Sequence, residues 1–190
     1  ARRYGIPGWK ADLVASEADA VLGGLRGYVL TYKNGVPVGT AGIDRSNAPP
    51  GYVTLHPRDP DREARRVSLK IRRELGIRVG VIIVDSHLNL LRRGVSGVAI
   101  GSWGVSPLRD LRGERDIYGR RMRFTVVNVI DSLAAAAALV MGETSEMTPF
   151  ALIRWEGVSL EDVGSEEARV PPEECYVLQS IVDGFCLGST

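Results

Sequence analysis

Two aspartates in this chain occupy settings where a carboxylate is costly unless something holds it. Asp85 follows the apolar run Val79-Gly-Val-Ile-Ile-Val, and Asp44 lies in Ala41-Gly-Ile-Asp-Arg-Ser-Asn, where an apolar approach meets a polar turn. A carboxylate at the end of a buried strand is unfavourable unless it is paired, hydrogen-bonded or bound to a cation. If the two converge, they form a hard-oxygen site suited to Mg²⁺ or Mn²⁺, ions that keep several waters and accept phosphate oxygens. Arg45, Arg92 and Arg93, set among glycine turns, suit a polyphosphate or carboxylate ligand. Each aspartate also has a plainer reading, Asp44 as an Asx-turn and Asp85 as a cap for the segment that begins at Ser86. Other chemistries find no motif here. The chain has no Gly-x-x-x-x-Gly-Lys-Ser/Thr phosphate loop, no Gly-x-Ser-x-Gly elbow and no His-Glu-x-x-His pair. His56 and His87 are the only histidines and read as surface or packing residues rather than as bases.

The elements that must position these residues follow from periodicity and punctuation. Residues 9–22 have helical spacing, ended by Gly23-Gly24. Tyr28-Val-Leu-Thr-Tyr-Lys, Asn34-Gly35 and Val36-Pro-Val predict a hairpin, because Asn-Gly suits the positive dihedrals of a tight turn. Residues 44–61, rich in Asn, Pro, Gly and Asp, predict a loop. A helix over 61–75 follows, with Gly76 where a stop belongs. Residues 79–84 predict a central strand buried on both faces, with Asp85 at its C-terminal end. Residues 98–100 and 123–129 predict further strands, and 150–154 a last one. Asp131 or Ser132 is the predicted cap of an alanine-rich helix that stops near Gly142. This order predicts an α+β fold of mixed β-sheets with packed helices, not a regular β-α-β alternation.

Composition bounds the function. The chain has 190 residues, 44% apolar and 25% charged, enough for one globular domain over 1–190 without a disulfide or metal staple. A net charge of +1 argues against a general nucleic-acid binder. The apolar stretch 133–141 is far short of the about 20 residues that span a bilayer, so a cytoplasmic protein without a membrane partner is expected. Cys175 and Cys186 are too few for a disulfide scaffold and read as reduced thiols.

Several ordered blocks run along residues 28–174. They include Ala41-Gly-Ile-Asp-Arg-Ser-Asn, Pro57-Arg-Asp-Pro-Asp leading to Ala64-Arg-Arg, Val79-Gly-Val-Ile-Ile-Val-Asp-Ser, and Arg92-Arg-Gly with Val98-Ala-Ile-Gly. Pro107-Leu-Arg-Asp-Leu-Arg-Gly-Glu-Arg-Asp-Ile-Tyr-Gly-Arg, Thr125-Val-Val-Asn-Val-Ile-Asp-Ser-Leu-Ala, Val140-Met-Gly, Gly164-Ser and Pro171-Pro-Glu-Glu complete the series. Together they resemble the coenzyme F420-0:L-glutamate ligase family, the γ-glutamyl ligases of deazaflavin cofactor synthesis. The resemblance implies the fold of that family and a GTP-dependent enzyme using Mg²⁺ or Mn²⁺. In such an enzyme the lactyl carboxylate of coenzyme F420-0 is phosphorylated, and the amine of L-glutamate attacks the acyl phosphate to give an amide, GDP and phosphate. By matched position it implies Asp44 and Asp85 as metal ligands and Ser46, Asn47 and Ser86 as neighbouring polar contacts. Arg92 and Gly94 fall in the phosphate-side segment, and Glu114, Asp116 and Tyr118 in a motif that reads equally well as loop structure. A homodimer is also implied.

Departures from the family pattern accompany these matches. Leu88 and Asn89 stand where the family usually has Gly-Arg, which removes a flexible residue and a guanidinium. Val170 stands where an arginine usually precedes Pro-Pro, with Arg169 one position earlier. The family's N-terminal segment would precede Ala1. Two alternatives therefore stand beside the named reaction: a ligase of the same chemistry acting on another carboxylate, and a non-catalytic binding or assembly homologue.

Overall fold

The computed structural model describes residues 1–187, with side chains to 184. The fold is α+β: among the described residues, four α-helices accompany seven strands paired into three small antiparallel sheets. Helix α1 (Gly8–Glu17) leads into a sheet of β1 (Ala20–Leu25), β2 (Tyr28–Lys33) and β3 (Val36–Gly39). The predicted Asn34-Gly35 turn joins β2 to β3, both residues having positive φ. The first helix is shorter than its spacing predicts. Val21 and Leu22 belong to β1, where Val21 pairs with Thr31. Gly24 lies inside that strand because a Cβ there would strike the Tyr28 carbonyl and the Tyr4 ring.

Helix α2 (Pro60–Leu75) begins at Asp59, whose side chain accepts from Arg62 N, and ends at Gly76 in the left-handed conformation. The ribbon β4 (Val81–Leu88) and β5 (Val95–Trp103) is antiparallel, so the predicted central strand is one arm of a two-stranded pair. It runs past Asp85 to Leu88, which places Asp85 within the strand rather than at its end. Val81 to Ser86 are half-buried rather than fully buried, because β4 pairs with β5 alone and its other edge has no strand partner among the described residues. Both α2 and α3 (Val129–Met141) pack on it, α3 so closely that a Cβ at Gly97 would meet the Ala134 carbonyl and the Ala138 methyl.

Strand β6 (Leu108–Asp110) pairs with β7 (Val126–Asn128). The strand predicted over 123–129 is confined to three residues, because Asn128 caps α3 by accepting from Asp131 N. Asp131 is thus inside the helix and not its cap. Residues 150–154 form no strand; they are exposed and pair with no described strand. Helix α4 (Tyr176–Leu187) closes the described chain. Cys175 is a half-buried free cysteine, whereas the predicted thiol of Cys186 lies outside the described side chains.

Two apolar clusters hold the fold. Ile6, Val14, Val29, Ala41 and Ile43 pack beneath the first sheet, and Ala99, Val105, Ile130 and Ala134 between the ribbon and α3. No helix among the described residues is long and apolar enough to cross a membrane.

Candidate metal and phosphate site

The site is built where the segment leaving the first cluster meets β4. Thr40, Ala41 and Gly42 all have positive φ, a conformation that costs a β-branched residue and is held here by buried contacts. Thr31, fully buried, supplies the clamp: its Oγ1 accepts from Ala41 N at 2.9 Å and donates to the Val38 carbonyl at 2.7 Å. The chain then runs to Asp44, which makes an antiparallel bridge with Thr54 through two backbone hydrogen bonds. Two residues beyond Thr54 stands His56, whose ring lies against Gly42; a Cβ at that glycine would overlap the imidazole.

On β4, Asp85 and His87 are two residues apart and so share one face of the strand. His56 Nε2 lies 2.9 Å and His87 Nε2 3.1 Å from the same oxygen, Asp85 Oδ2. The two rings are nearly parallel, 12° apart in plane with centroids separated by 6.5 Å, and flank the carboxylate. The His56 and His87 side chains are only 9% and 7% exposed, while the Asp85 side chain keeps 37% of its surface open. Burial pushes the Asp85 carboxyl up. The hydrogen bonds from His56 and His87 and the charge of those rings outweigh it and hold the group well below the usual carboxylate range.

Asp44 adopts the Asx-turn arrangement. Its Oδ1 accepts from Arg45 N at 2.6 Å, Ser46 N at 2.9 Å and Ser46 Oγ at 2.9 Å, and Oδ2 has no donor among the described residues. Ser46 is thereby tied to Asp44, and Asn47, at positive φ, donates from Nδ2 to the Thr144 carbonyl at 2.8 Å. Ser86 points to the opposite face of β4 from Asp85 and donates to Glu143 Oε1 at 2.6 Å. The loop after α3 therefore touches both the Asp44 turn and β4. Arg92 and Gly94 sit on the exposed β4–β5 connection, Gly94 at positive φ and Arg92 N bonded to the Asn89 carbonyl. Neither makes a hydrogen bond to the Asp44 turn. Asn89 donates to Ser96 Oγ at 2.7 Å and so closes the base of that connection. Asp116 accepts from Tyr118 N and Arg120 N, the work of a loop residue.

The donor chemistry can be tested against a divalent cation. Asp44 Oδ2 and Asp85 Oδ1 accept from no donor among the described residues, while the Ser46 and Ser86 hydroxyls are committed to Asp44 and Glu143. His56, Asp85 and His87 offer three donor atoms all within 4.8 Å of one another, a cluster of which Asp44 is not a member. The residues present thus fit a bound divalent metal. The two histidines were not singled out by spacing. The alternation that puts Asp85 and His87 on one face was a usable signal, but His56 enters from a loop 29 positions away.

Comparison with known proteins places these segments in one lineage. The model of the F420-0:Gamma-glutamyl ligase family matches residues 1–155, which hold the Asp44 turn, His56, β4 and the loop after α3. The chain is 43% identical over 155 residues to the coenzyme F420:L-glutamate ligase of Methanopyrus kandleri, covering 81% of this chain and 62% of that protein. It is 44% identical over 122 residues to that of Methanothermobacter thermautotrophicus (64% and 48%), and 38% identical over 179 residues to that of Archaeoglobus fulgidus (94% and 71%). The chain therefore spans between about half and seven-tenths of the length of these relatives. With the family match covering most of the chain and every segment that builds the site, this protein belongs to the F420-0:gamma-glutamyl ligase family.

Proposed function

We propose that this protein is a GTP-dependent ligase that joins L-glutamate to the lactyl carboxylate of coenzyme F420-0 through an acyl phosphate, with Mg²⁺ or Mn²⁺. The observation that carries the reading is spatial. Matched segments far apart in sequence meet, with Asn47 on Thr144, Ser86 on Glu143 and His56 on Asp85. All of these residues lie within the stretch matched by the family model.

The reaction moves the γ-phosphoryl group of GTP to a carboxylate oxygen and releases GDP. The amine nitrogen then bonds to the acyl carbon, phosphate leaves, and the nitrogen loses its proton. A bound divalent cation would offset phosphate charge and orient the transferred group. The chain's own residues have distinct tasks in this scheme. Asp44 and Asp85 would hold the cation, the second kept ionised by its histidine partners. Ser46, Asn47 and Ser86 set the loops around it. Arg92, exposed and without an acidic partner among the described residues, is available to an anionic phosphate, and Gly94 lets its turn form.

The test is GDP release and appearance of the glutamylated product with GTP, L-glutamate, F420-0 and Mg²⁺ or Mn²⁺. Asp85→Asn should lower turnover by about 100-fold or more, since an isosteric amide has lost the charge that binds metal. A wild-type protein that releases no GDP overturns the reading.

A second reading has its own observation. Leu88 is exposed where the family has glycine, and Asn89 is committed to Ser96. This remodelled β4–β5 connection favours a different carboxylate acceptor, which a substrate panel scored by GDP release would identify.

A further inference from the structure

We infer that His56 and His87 join Asp85 in a three-donor site that takes a borderline transition-metal ion of the Zn²⁺ and Co²⁺ class in preference to Mg²⁺. As an account of which cation serves the ligase it rests on the proposed function, but as a metal site it stands on geometry alone.

The donor set is the first argument. Two imidazole nitrogens with one carboxylate oxygen suit Zn²⁺, Co²⁺ and Ni²⁺, whereas Mg²⁺ prefers oxygen and retains its waters. Spacing is the second. Donors about 2.1 Å from one tetrahedral ion stand about 3.4 Å apart. The two nitrogens stand 2.9 and 3.1 Å from Asp85 Oδ2 and all three donors lie within 4.8 Å of one another, so side-chain shifts on the order of 1 Å would bring them around one ion. Access is the third. Buried imidazoles close the protein side, and the partly open Asp85 leaves positions for water or a ligand, as a reactive rather than purely structural metal site requires.

The backbone is arranged to permit this cluster. Gly42 has φ +70° and no side chain where any Cβ would displace the His56 ring. The left-handed turn at Thr40 and Ala41, clamped by Thr31, brings that glycine into place.

The experiment is a Co²⁺ titration of the purified protein without nucleotide, read by visible d–d absorption. The expected result is saturation at one ion per chain, with binding weakened at least tenfold in His56→Gln and in His87→Gln and unchanged within about twofold in Asp110→Asn, which lies on β6 outside the site. Zn²⁺ should displace the cobalt, and millimolar Mg²⁺ should not. Circular dichroism establishes that each variant is folded. If a histidine variant does not fold, Gly42→Ala serves instead, because it keeps every donor and should still weaken Co²⁺ by moving His56. Absence of a cobalt spectrum, or a spectrum indifferent to His56, His87 and Gly42, overturns the inference and leaves the histidines as hydrogen-bond partners of Asp85. GDP release is scored separately. Its failure with the cobalt spectrum intact counts against the ligase alone, and turnover without a cobalt spectrum counts against the metal site alone.

Discussion

At the scale of single residues, carboxylates in this protein are governed by who donates to them more than by depth. Asp85 is held ionised by two imidazoles, and Asp44 has three donors on one oxygen. The clearest solvent-exposed case is Asp110 at the end of β6. Arg112 meets both of its carboxylate oxygens through Nε and Nη2 and also donates its backbone N–H. These bonds lower the Asp110 pKa to about 2. Because the folded value lies below the unfolded one, the favourable interaction is complete above the ordinary aspartate range near pH 4 and is lost as pH falls toward 2. A carboxyl-carbon NMR titration should place the Asp110 midpoint near 2 in the wild type. Arg112→Gln should return it toward the ordinary range, and an unmoved midpoint would assign the shift to something other than Arg112. None of this is visible from charge counts. Asp110 and Arg112 sit in a charged stretch where several pairings are equally spaced, and only the β6–β7 geometry selects one.

At the scale of elements, the start of α2 is a junction as well as a helix end. Asp61 in its first turn accepts from Ser102 N on β5 at 2.7 Å, from Ser165 Oγ at 2.6 Å and N at 3.3 Å, and from Arg169 Nη2 at 2.9 Å. One carboxylate therefore joins the helix to the ribbon and to the late segment, beside the Trp103–Gly164 bridge and the Gly104 N to Val163 carbonyl hydrogen bond. Removing it leaves buried donors unpaired, so Asp61→Ala should cost about 3 kcal/mol in urea unfolding. Arg169→Met should cost less, because Asp61 keeps its serine and backbone donors; equal losses would mean the ion pair alone carries the junction. The same junction shows what was legible. Asp59, Pro60 and Gly76 carry local rules for starting and stopping a helix, and α2 obeys them. The role of Asp61 depends on Ser165 and Arg169, more than a hundred positions away, which no local pattern encodes. The apolar run at 150–154 failed as a strand for a related reason: composition signals a preference for extended structure, but pairing needs a neighbouring edge. Val21 and Leu22 suit either periodicity, and it was the partner β2 that drew them into a sheet.

At the scale of the whole molecule, the site lies between two cores, so its assembly depends on both being folded. The ordered blocks made the family legible, because they persist along the chain even where individual contacts do not declare themselves. What they left hidden is the surface those blocks present. Scattered exposed apolar residues are ordinary, but here several follow one another on the β6–β7 connection and again along the end of α3 and the segment after it. Phe124 and Ile117, on the β6–β7 connection, are 88% and 91% exposed, and Leu139, in the last turns of α3, is 88% exposed. Met147, Phe150 and Leu152 follow in the segment after that helix, all similarly open. Burial of these side chains against a second copy would remove the cost of keeping them in water. The alanine-rich α3 is already spent on β5 along its small-residue face, through Ala134 and Ala138 against Gly97, so the outward residues are the ones left to a partner. We therefore expect a homodimer joined through this face, with α3 and the segment that follows it at the contact. Sedimentation velocity across a micromolar concentration range should show a monomer–dimer equilibrium. Leu139→Glu combined with Phe150→Glu should shift it to monomer without changing the circular dichroism. The isolated α2 face, where Leu69 is flanked by Arg66 and Arg73, supplies the control: Leu69→Glu should leave the dimer intact, because that surface is already dominated by charge. A wild-type chain that stays monomeric throughout, or a dimer lost equally in both variants, would detach the exposed apolar face from self-association.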